Sequence, residues 1–326
     1  MVFQPRYVAV PRFRVDDTGA ADYLSEHGFV AFQNILSPPD VAKALDLLWD
    51  YLEALGSGLD RNDAATWAPN WPPTVGDAGI LAWFGIGQSE FMWFVRTRPN
   101  VRAAFAHLWR GKGATADEAD DLLCSLDGAT VWLPGQRTRD GWLHVDQHPV
   151  LRRDFCMLQG FLNLLPVQRG GGGNVVVKGS HADVFSRLAS DYAQDVAACG
   201  FDYFEIPHQD AVHGMQARQT VALLEAGDLL VWDSRTVHCT TPANSDSGAG
   251  LTRAVAYVTW APREGTPEDV LSRRRESVAR GETTTHWPTK FQPTNDYEEW
   301  AEVSADTRFT PPRPPEMTPA IRRALG

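Results

Sequence analysis

The stretch Asp140-Gly-Trp-Leu-His-Val-Asp-Gln147 places a histidine and an aspartate two residues apart in a short aromatic-rich run. Successive side chains of a β-strand point to opposite faces, so His144 and Asp146 would share one face and could reach one metal ion. Two imidazoles and one carboxylate suit a divalent transition metal and leave further coordination positions open. This stretch is therefore the leading candidate for a metal-binding motif.

Two other His-x-Asp pairs occur, so the spacing alone does not identify a metal site. The pair His181 and Asp183 follows a Gly-Ser turn and leads into a predicted helix rather than a strand. The pair His208 and Asp210 lies in a loop only 28 residues before His238, too few for the strands that a jelly roll places between ligands. The first pair is the favoured one.

Short segments with β-strand character follow one another from residue 121 to 262. β-Branched, aliphatic and aromatic residues fill them, and Gly, Pro and Asp residues separate them, which is typical of strands joined by turns. Many short strands predict a sandwich or jelly roll, so the fold class is mainly β with added helices. The predicted strands are Leu122–Leu126, Thr130–Leu133, Trp142–Val145, Cys156–Leu165, Asn174–Val177, Thr220–Leu224, Asp228–Trp232 and Thr252–Trp260.

Residues 1–120 are predicted to be helical and irregular. Ser37 can cap a helix whose first turn contains two prolines, and apolar residues then recur at helical spacing from Val41 to Leu55. The predicted elements are a helix at 17–27, a strand at 28–33, a helix from 38 to 55 and a helix at 99–110, with an irregular region at 60–90.

We expect a single domain over residues 1–310, with its β core at 121–262. Residues 263–326 contain many prolines and are expected to wrap over the surface. The run Arg273-Arg274-Arg275 is the only basic run, and a solvated helix face is its favoured interpretation.

Composition and charge limit the functional classes. The chain has 326 residues, of which 43% are hydrophobic and 22% charged, as in an ordinary globular protein. Its formal net charge of −11 disfavours general binding to nucleic-acid phosphates. The four cysteines are scattered, no apolar stretch is long enough to span a membrane, and the N-terminus lacks a signal-peptide core. We therefore expect a cytoplasmic protein with reduced thiols.

The third metal ligand is predicted in the segment Leu229-Leu-Val-Trp-Asp-Ser-Arg-Thr-Val-His-Cys-Thr-Thr241. A Gly-Asp turn precedes a predicted strand here, and the far end of that strand delivers His238. A lone histidine is more often a core residue that hydrogen-bonds to backbone. The metal role gains weight because Thr240 shares the face of His238 and can donate its hydroxyl to a carboxylate.

Arg253 lies inside the otherwise apolar predicted strand Thr252–Trp260. A buried guanidinium without an anion would be very costly, so it needs a partner. A dicarboxylic cosubstrate would supply one, because Arg binds carboxylate through two parallel hydrogen bonds. The alternative is a buried salt bridge to an aspartate or glutamate of the protein.

The order of these motifs resembles the phytanoyl-CoA dioxygenase family over roughly residues 20–265. The strongest segments are 141–181, which ends in a Gly-rich run and Gly-Ser-His, and 227–260, which contains His238 and Thr-Arg253. Together they are typical of iron(II), 2-oxoglutarate-dependent oxygenases and do not specify a substrate.

The resemblance implies a double-stranded β-helix, a cupin-like jelly roll, with iron(II) near one mouth. One carboxylate of 2-oxoglutarate would bind Arg253 and Thr240, and Gln159 would approach the other from its strand. The residues assigned to iron are His144, Asp146 and His238, and those assigned to 2-oxoglutarate are Arg253, Thr240, Gln159 and Asn163. Lys178, where the family has Pro, and the insert at 244–250 depart from the family pattern.

The implied activity is the oxidation of a small-molecule substrate with dioxygen, releasing succinate and carbon dioxide. Related halogenases replace the carboxylate ligand with Ala or Gly, whereas Asp146 keeps it, which favours hydroxylation, desaturation or ring formation. No nucleic acid or membrane is expected as a partner, and the sequence does not predict the oligomeric state.

Residues that flank the metal motif are candidates for substrate contact, although ordinary packing explains each of them at least as well. The segment Gly85-Ile-Gly-Gln-Ser-Glu-Phe-Met-Trp93 could cover the mouth as a lid. The substrate candidates are Trp132, Trp142, Gln147 and His148, together with Gln88 in the lid segment.

Two other classes remain open. The chain could be a non-catalytic cupin-like module that binds a metal or ligand, or a zinc hydrolase that uses the same three ligands. Arg253 with Thr240 argues against both classes, because neither requires a pocket for a dicarboxylate.

Overall fold

Two large mixed β-sheets form the centre of the protein in the computed structural model, which describes residues 5–207, 214–243 and 250–326. The strands are β1 Arg6–Ala9, β2 Arg12–Phe13, β3 Phe29–Phe32, β4 Ile80–Leu81, β5 Leu122–Cys124, β6 Ala129–Trp132, β7 His144–Val145, β8 Leu158–Asn163, β9 Gly173–Val177, β10 Phe204–Glu205, β11 Gln219–Leu223, β12 Leu229–Asp233, β13 His238–Thr241, β14 Arg253–Tyr257 and β15 Trp260–Pro262.

One sheet has the strand order β1-β11-β9-β13-β7-β10 and the other the order β2-β3-β12-β8-β14-β6-β4, while β15 pairs with β5. The pairs β1–β11 and β2–β3 are parallel, and the core strands are joined by antiparallel pairs. From β6 to β14 the chain passes repeatedly from one sheet to the other. Strands that are consecutive in sequence therefore belong to different sheets in most of this region.

Apolar side chains from both sheets meet in one cluster. Phe161, Trp232 and Val255 of the seven-stranded sheet share this cluster with Val176 and Ala222 of the six-stranded sheet. Shared burial of this kind requires the two sheets to face each other, as in a sandwich.

Helices cover the outer faces of the sandwich. Leu48 and Phe105, on helices from the N-terminal part, pack with Val231 of β12 in the largest core cluster, and Phe185 packs with Val175 behind the six-stranded sheet. The α-helices are Gly19–His27, Pro38–Ala54, Trp67–Asn70, Glu90–Arg96, Pro99–Gly111, Ala116–Asp120, Ser180–Asp183, Phe185–Asp191, Ala193–Ala198, Glu268–Arg280, Trp300–Ser304 and Pro319–Leu325, and the 3-10 helices are Ala64–Thr66, Ile86–Gln88, Gln216–Arg218 and Thr294–Asp296.

The predicted strands of residues 121–262 are present with ends shifted by one or two residues, except that 252–260 divides into β14 and β15. The helix after Ser37 is also confirmed, since the Ser37 side chain accepts the backbone N–H of Asp40 and the prolines occupy the first turn. No helix among the described ranges is long and apolar enough to cross a membrane, and all four cysteines are free thiols.

The prediction of a lid at Gly85–Trp93 is wrong. Ile86, Phe91 and Met92 are 0% exposed and Trp93 is 2% exposed, all within the largest core cluster. Removing this segment from the core would expose a large apolar area, so it cannot open as a lid without unfolding the region.

The C-terminal segment is anchored by Arg274, and the prediction that the whole basic run is solvated is wrong at this residue. Arg274 is 0% exposed and donates hydrogen bonds to backbone carbonyls of four residues, while Arg273 and Arg275 are exposed. The carbonyl acceptors are those of Cys124, Pro288, Ala324 and Leu325. One side chain thus ties the helix Glu268–Arg280 to β5 and to the last helix.

We expect Arg274→Met to lower the free energy of unfolding by an amount on the order of 3 kcal/mol, because several buried carbonyls lose their donor. Urea unfolding measures this, with Arg275→Met as the matched control, since the side chain of Arg275 is 43% exposed. A control variant that is destabilised as strongly as Arg274→Met would contradict the anchoring role.

Candidate metal centre

Three side chains converge between neighbouring strands of the six-stranded sheet. His144 of β7 and His238 of β13 are paired across these strands, with ring centroids 4.3 Å apart. Nε2 of His238 lies 3.2 Å and Nε2 of His144 lies 3.8 Å from carboxylate oxygens of Asp146. One ligand atom of each residue lies within 4.8 Å of the others, so the predicted convergence is confirmed.

His238 reaches the site by a different route from the predicted one. β12 ends at Asp233 in the seven-stranded sheet, and His238 begins a separate strand, β13, in the six-stranded sheet. The Asp233 carboxylate accepts the backbone N–H of Arg235 at 3.0 Å, and the Thr236 hydroxyl donates to the Gly28 carbonyl at 2.8 Å. These bonds stabilise the turn that carries the chain between the sheets.

Both histidines are oriented by the backbone. Nδ1 of His144 lies 3.0 Å from the Trp142 carbonyl, and Nδ1 of His238 lies 2.9 Å from the Thr236 carbonyl. A carbonyl accepts only from a protonated nitrogen, so Nδ1 carries the proton and Nε2 keeps its lone pair. Imidazoles held in this way are typical metal ligands, and the donor set fits a divalent transition metal.

Asp146 stays ionised in this environment. Burial by itself raises the pKa of the carboxyl group, but His144 and His238 together hold it below its ordinary value. Gln159 donates from Nε2 to Oδ2 of Asp146 at 3.0 Å. The structure thus places Gln159 beside the metal ligand, while its predicted contact with 2-oxoglutarate stays a prediction.

Arg253 is 4% exposed and lies between aromatic rings. Its guanidinium carbon is 5.2 Å from the Trp132 ring centroid and 5.1 Å from that of Phe161. Its Nε has no hydrogen-bond partner, and burial lowers its pKa to about 10, opposed only by Tyr257 and Tyr7. Within the described part of the chain, then, the alternative of a salt bridge to a protein carboxylate is not found.

Thr240 contacts Trp142 beside the metal cluster and is paired across the strands with Asn174. Its hydroxyl oxygen accepts the Trp142 indole N–H at 3.3 Å, which leaves its own O–H to donate elsewhere. The Trp142 ring stacks on His144 at 4.5 Å. Asn174, opposite Thr240 on β9, is buried with an unpartnered Nδ2, although the sequence reasoning did not select it.

Asn163 and Trp132 have protein partners for their N–H groups. The Asn163 side-chain amide donates to the carbonyls of Leu165 and Glu225, and the Trp132 indole N–H donates to the Ala78 carbonyl at 3.1 Å. Asn163 thus contributes to a turn, and Trp132 offers its ring rather than its N–H to the interior. Their predicted cosubstrate and substrate contacts remain predictions.

The polar atoms of the other three substrate candidates form hydrogen bonds within the protein. Both ring nitrogens of His148 hydrogen-bond to backbone, at Cys199 and at Val150 and Leu151. The Gln147 amide donates to two backbone carbonyls and accepts from Ser234 and Cys156, and Gln88 bonds to Glu282 and Trp93. Among the described residues, these partners satisfy the polar atoms of Gln147 and His148, and they leave Gln88 one amide N–H.

The alternative metal pairs do not form a site where they are described. Nε2 of His181 lies 3.1 Å from the Ser25 carbonyl, while Asp183 pairs with Arg218 at 3.0 Å. The pair at 208–210 lies outside the described residues, as does nearly all of the insert at 244–250. Lys178 is exposed, with its Nζ 6.0 Å from the Tyr23 ring centroid, so it does not enter the metal site.

Three residues near the cluster were missed because they are distant in sequence or in loops. The Tyr203 ring lies 4.9 Å from that of His144. His286 and Tyr297 interact electrostatically with Asp146, and both belong to the segment predicted merely to wrap over the surface. No spacing relates them to the metal motif, so tertiary contact alone reveals them.

Comparison with known proteins gives sequence relatives and a shared fold. The chain is 30% identical over 304 residues to "Ava biosynthesis cluster protein O" of Aspergillus versicolor, covering 88% of this chain and 93% of that protein. It is 22% identical over 262 residues to "Putative phytanoyl-CoA dioxygenase" of Dictyostelium discoideum, covering 67% and 68%. The non-haem alpha-ketoglutarate-dependent carbocyclase SnoK from nogalamycin biosynthesis matches with a TM-score of 0.52 and 18% identity, over 81% of this chain and 94% of that chain. A scan against models of protein families gave no match.

Two imidazoles and one carboxylate, with the remaining positions open, are the ligand set typical of non-haem iron(II) oxygenases. The chain belongs to the same family as the Aspergillus versicolor relative. Its similarity to the Dictyostelium discoideum protein and its His-Asp-His cluster support the resemblance to phytanoyl-CoA dioxygenases, which are iron(II), 2-oxoglutarate-dependent enzymes.

We expect His144→Ala and Asp146→Ala to lose iron on dialysis, because two of three protein ligands do not hold the ion firmly. Metal content per chain measures this, and circular dichroism shows whether the fold persists. His107→Ala is the matched control, since this histidine lies on the helix Pro99–Gly111 outside the cluster. Iron retained by both ligand variants would contradict the assignment.

The metal-free protein should lose stability as the pH falls below about 6.5. Burial and then His238 lower the pKa of His144 from 6.5 to about 3, so the unfolded chain takes up a proton that the folded chain refuses. We expect the free energy of unfolding to fall between pH 7 and 5 by about 1–2 kcal/mol more in the wild type than in His144→Asn. Equal losses in both proteins, in urea titrations, would argue against this origin.

Proposed function

We propose that the protein binds iron(II) through His144, Asp146 and His238 and binds 2-oxoglutarate through Arg253 and Thr240. It oxidises a small molecule with dioxygen and releases succinate and carbon dioxide. The bound iron and 2-oxoglutarate supply the oxidising chemistry, and the protein supplies orientation and shielding from water. Because Asp146 keeps its carboxylate, we favour hydroxylation, desaturation or ring formation over halogenation.

The strand order supports a double-stranded β-helix as the core. The strands β6, β14, β8 and β12 are neighbours in one sheet, and β7, β13, β9 and β11 are neighbours in the other. The chain therefore winds between two sheets of four core strands each, as a jelly roll does. The paired ends of β7 and β13 supply the ligands.

The guanidinium of Arg253, which has no carboxylate partner among the described residues, carries the proposal. A cation buried among Trp132 and Phe161 costs several kcal/mol unless an anion compensates it. A carboxylate can accept two hydrogen bonds from the planar guanidinium, and the free O–H of Thr240 can supply a further one. A dicarboxylic cosubstrate held there would extend its other end toward the metal ligands.

The remaining residues of the site would position the ligands. Gln159 fixes one carboxylate oxygen of Asp146, and the two backbone carbonyls fix the imidazoles. The rings of Trp142 and Tyr203 lie on His144 and shield it from water. Asn174 offers an amide N–H that the protein leaves unused.

A small molecule is the substrate class that the relatives support. The Aspergillus versicolor relative is named for a biosynthesis cluster, and the net charge of −11 disfavours nucleic acid. Of the flanking candidates, Trp142 and Trp132 present rings to the interior, which favours them over Gln147, His148 and Gln88 as substrate contacts.

The alternatives make different predictions. A zinc hydrolase would work without dioxygen and would not consume 2-oxoglutarate, and a non-catalytic cupin-like module would bind without turnover. Anaerobic iron(II) and 2-oxoglutarate should give a metal-to-ligand absorption band with the wild-type protein. A panel of small molecules is then screened in air for faster succinate formation. Absence of both the band and succinate formation would end the proposal.

We expect Arg253→Ala to weaken 2-oxoglutarate binding by about 10- to 100-fold, because a charge-assisted hydrogen-bond pair is lost. Titration of the absorption band measures the dissociation constant. Arg253→Lys should retain part of the affinity, and the control Arg187→Ala should retain all of it, since the side chain of Arg187 is 62% exposed on a distant helix. An unchanged dissociation constant in Arg253→Ala would remove the assigned role.

A further inference from the structure

A loop in the C-terminal segment, residues 284–293, stands beside the metal cluster. We call it the C-terminal loop. Its base is closed by a β-bridge between Thr284 and Pro293 and by a hydrogen bond of 3.0 Å from Thr285 N to the Gln292 carbonyl. Thr284 N donates to the Leu126 carbonyl at 2.9 Å, which attaches the base of the loop to the body of the protein. The loop is therefore held in place rather than free to trail.

The tip of the loop is attached to the segment that covers the metal ligands. Lys290 forms an ion pair with Asp202, and Nε of Arg152 donates to the same carboxylate at 2.8 Å. Asp202 precedes Tyr203, whose ring lies 4.9 Å from the His144 ring. These contacts place the loop tip at the edge of the iron site.

Two neighbouring residues of the tip carry buried polar atoms without partners. Nε2 of His286 and Nε1 of Trp287 are both inaccessible to solvent and make no hydrogen bond, and their rings lie 5.2 Å apart. A buried polar group left unpaired costs about 1–3 kcal/mol, so an adjacent pair of them indicates a missing partner.

The electrostatic interactions of His286 agree with a loop tip near the metal cluster. Burial lowers the pKa of His286 to about 4, and among its neighbours Asp146 opposes this shift while His238 adds to it. Tyr297, just beyond the loop, also interacts with Asp146. These interactions agree with the contacts of Lys290 and Asp202, which place the loop tip near the segment that covers His144.

The charged residues around this face form ion pairs with one another. Lys290 and Arg152 share Asp202, and Arg139 pairs with Glu205. Lys290 and Arg152 together carry one positive charge more than Asp202 neutralises, and both also lie against the Trp287 ring, 3.9 Å and 5.1 Å from its centroid. Each cation of this group is thus already engaged by side chains of the protein, which disfavours a role in binding the phosphates of a nucleotide-linked substrate. The rings of Trp142, Tyr203 and Trp287 are among the other side chains of this region, which suits a neutral molecule with an apolar body.

We propose that the C-terminal loop forms the substrate-facing wall of the iron site, and that His286 and Trp287 bind a hydroxyl or carbonyl group of a neutral small molecule. This inference rests on the proposed function for its iron. It assigns to the C-terminal segment a role in substrate recognition in addition to covering the fold.

Metal-catalysed oxidation tests the location without any substrate. The wild-type protein is loaded with iron(II) alone, treated with ascorbate and hydrogen peroxide, and mapped by peptide mass spectrometry for added oxygen. We expect oxidation at His286 and Trp287, together with Tyr203, and at least a tenfold loss of this oxidation in His144→Ala. His107 is the internal control, because its Nε2 is equally inaccessible and unpartnered but lies on the helix Pro99–Gly111.

The outcomes separate the two proposals. Oxidation of Tyr203 without oxidation of His286 or Trp287 would overturn the loop assignment and leave the iron site standing. The same oxidation in the wild type and in His144→Ala would show that iron does not bind at the cluster, and the proposed function would fail.

Substituted proteins test the contact. Neutral aromatic alcohols and ketones are compared with acyl-CoA thioesters for faster succinate formation. With the best neutral compound, we expect His286→Phe to lower kcat/KM about tenfold, by loss of one hydrogen bond, and His286→Gln to recover part of it, with iron content unchanged. An unchanged kcat/KM in His286→Phe would overturn the contact, and acceleration by acyl-CoA thioesters alone, or by no neutral compound, would overturn the substrate class.

Discussion

The pairing of β7 with β13 is the constraint on which the site depends. It sets His144 against His238 on adjacent strands, and Asp146, two residues after His144, meets both imidazoles. The pairing exists because the turn after Asp233 sends the chain from one sheet into the other. A shift of one residue in either strand would point one histidine to the opposite face, so the strand register and the donor set are inseparable.

The interior of the sandwich contains polar atoms that the protein does not satisfy. Nε of Arg253, Nδ2 of Asn174 and Oε1 of Gln159 lack partners on one side of the cluster, and Nε2 of His286 and Nε1 of Trp287 lack them near the other ligands. Elsewhere, buried cations such as Arg274 are bonded to backbone carbonyls. Unpartnered buried atoms also occur away from the cluster, such as Nε2 of His107 and Nε of Arg96. It is therefore the buried cation of Arg253, with no carboxylate beside it among the described residues, that points to a polar ligand in the interior.

Predictions from the sequence were reliable where they depended on the periodicity of apolar residues, on a helix cap, or on the free-energy cost of burying one charged side chain. Alternation placed the strands, the cap at Ser37 placed a helix, and Arg253 in an apolar strand predicted a buried cation that needs an anion, from either a cosubstrate or a protein carboxylate. It failed where the same local sequence pattern is compatible with either a buried or an exposed position. Gly85–Trp93, rich in Gly and aromatic residues, became core instead of a lid, and Arg274 was buried between exposed neighbours because carbonyls from four distant residues surround it.

By itself, the sequence determined the ligand types, their order along the chain and the β character of the region that bears them, because these follow from residue chemistry and from the two-residue period of a strand. The tertiary structure alone decided that His238 begins its own strand and that the side chains of Gln147 and His148 bond to Ser234 and Cys199, which are distant in sequence. It also brought His286, 140 residues after Asp146, into electrostatic interaction with that carboxylate. The physical reason is that hydrogen-bond partners and burial are properties of contacts between distant segments, and no local pattern records which distant group will arrive.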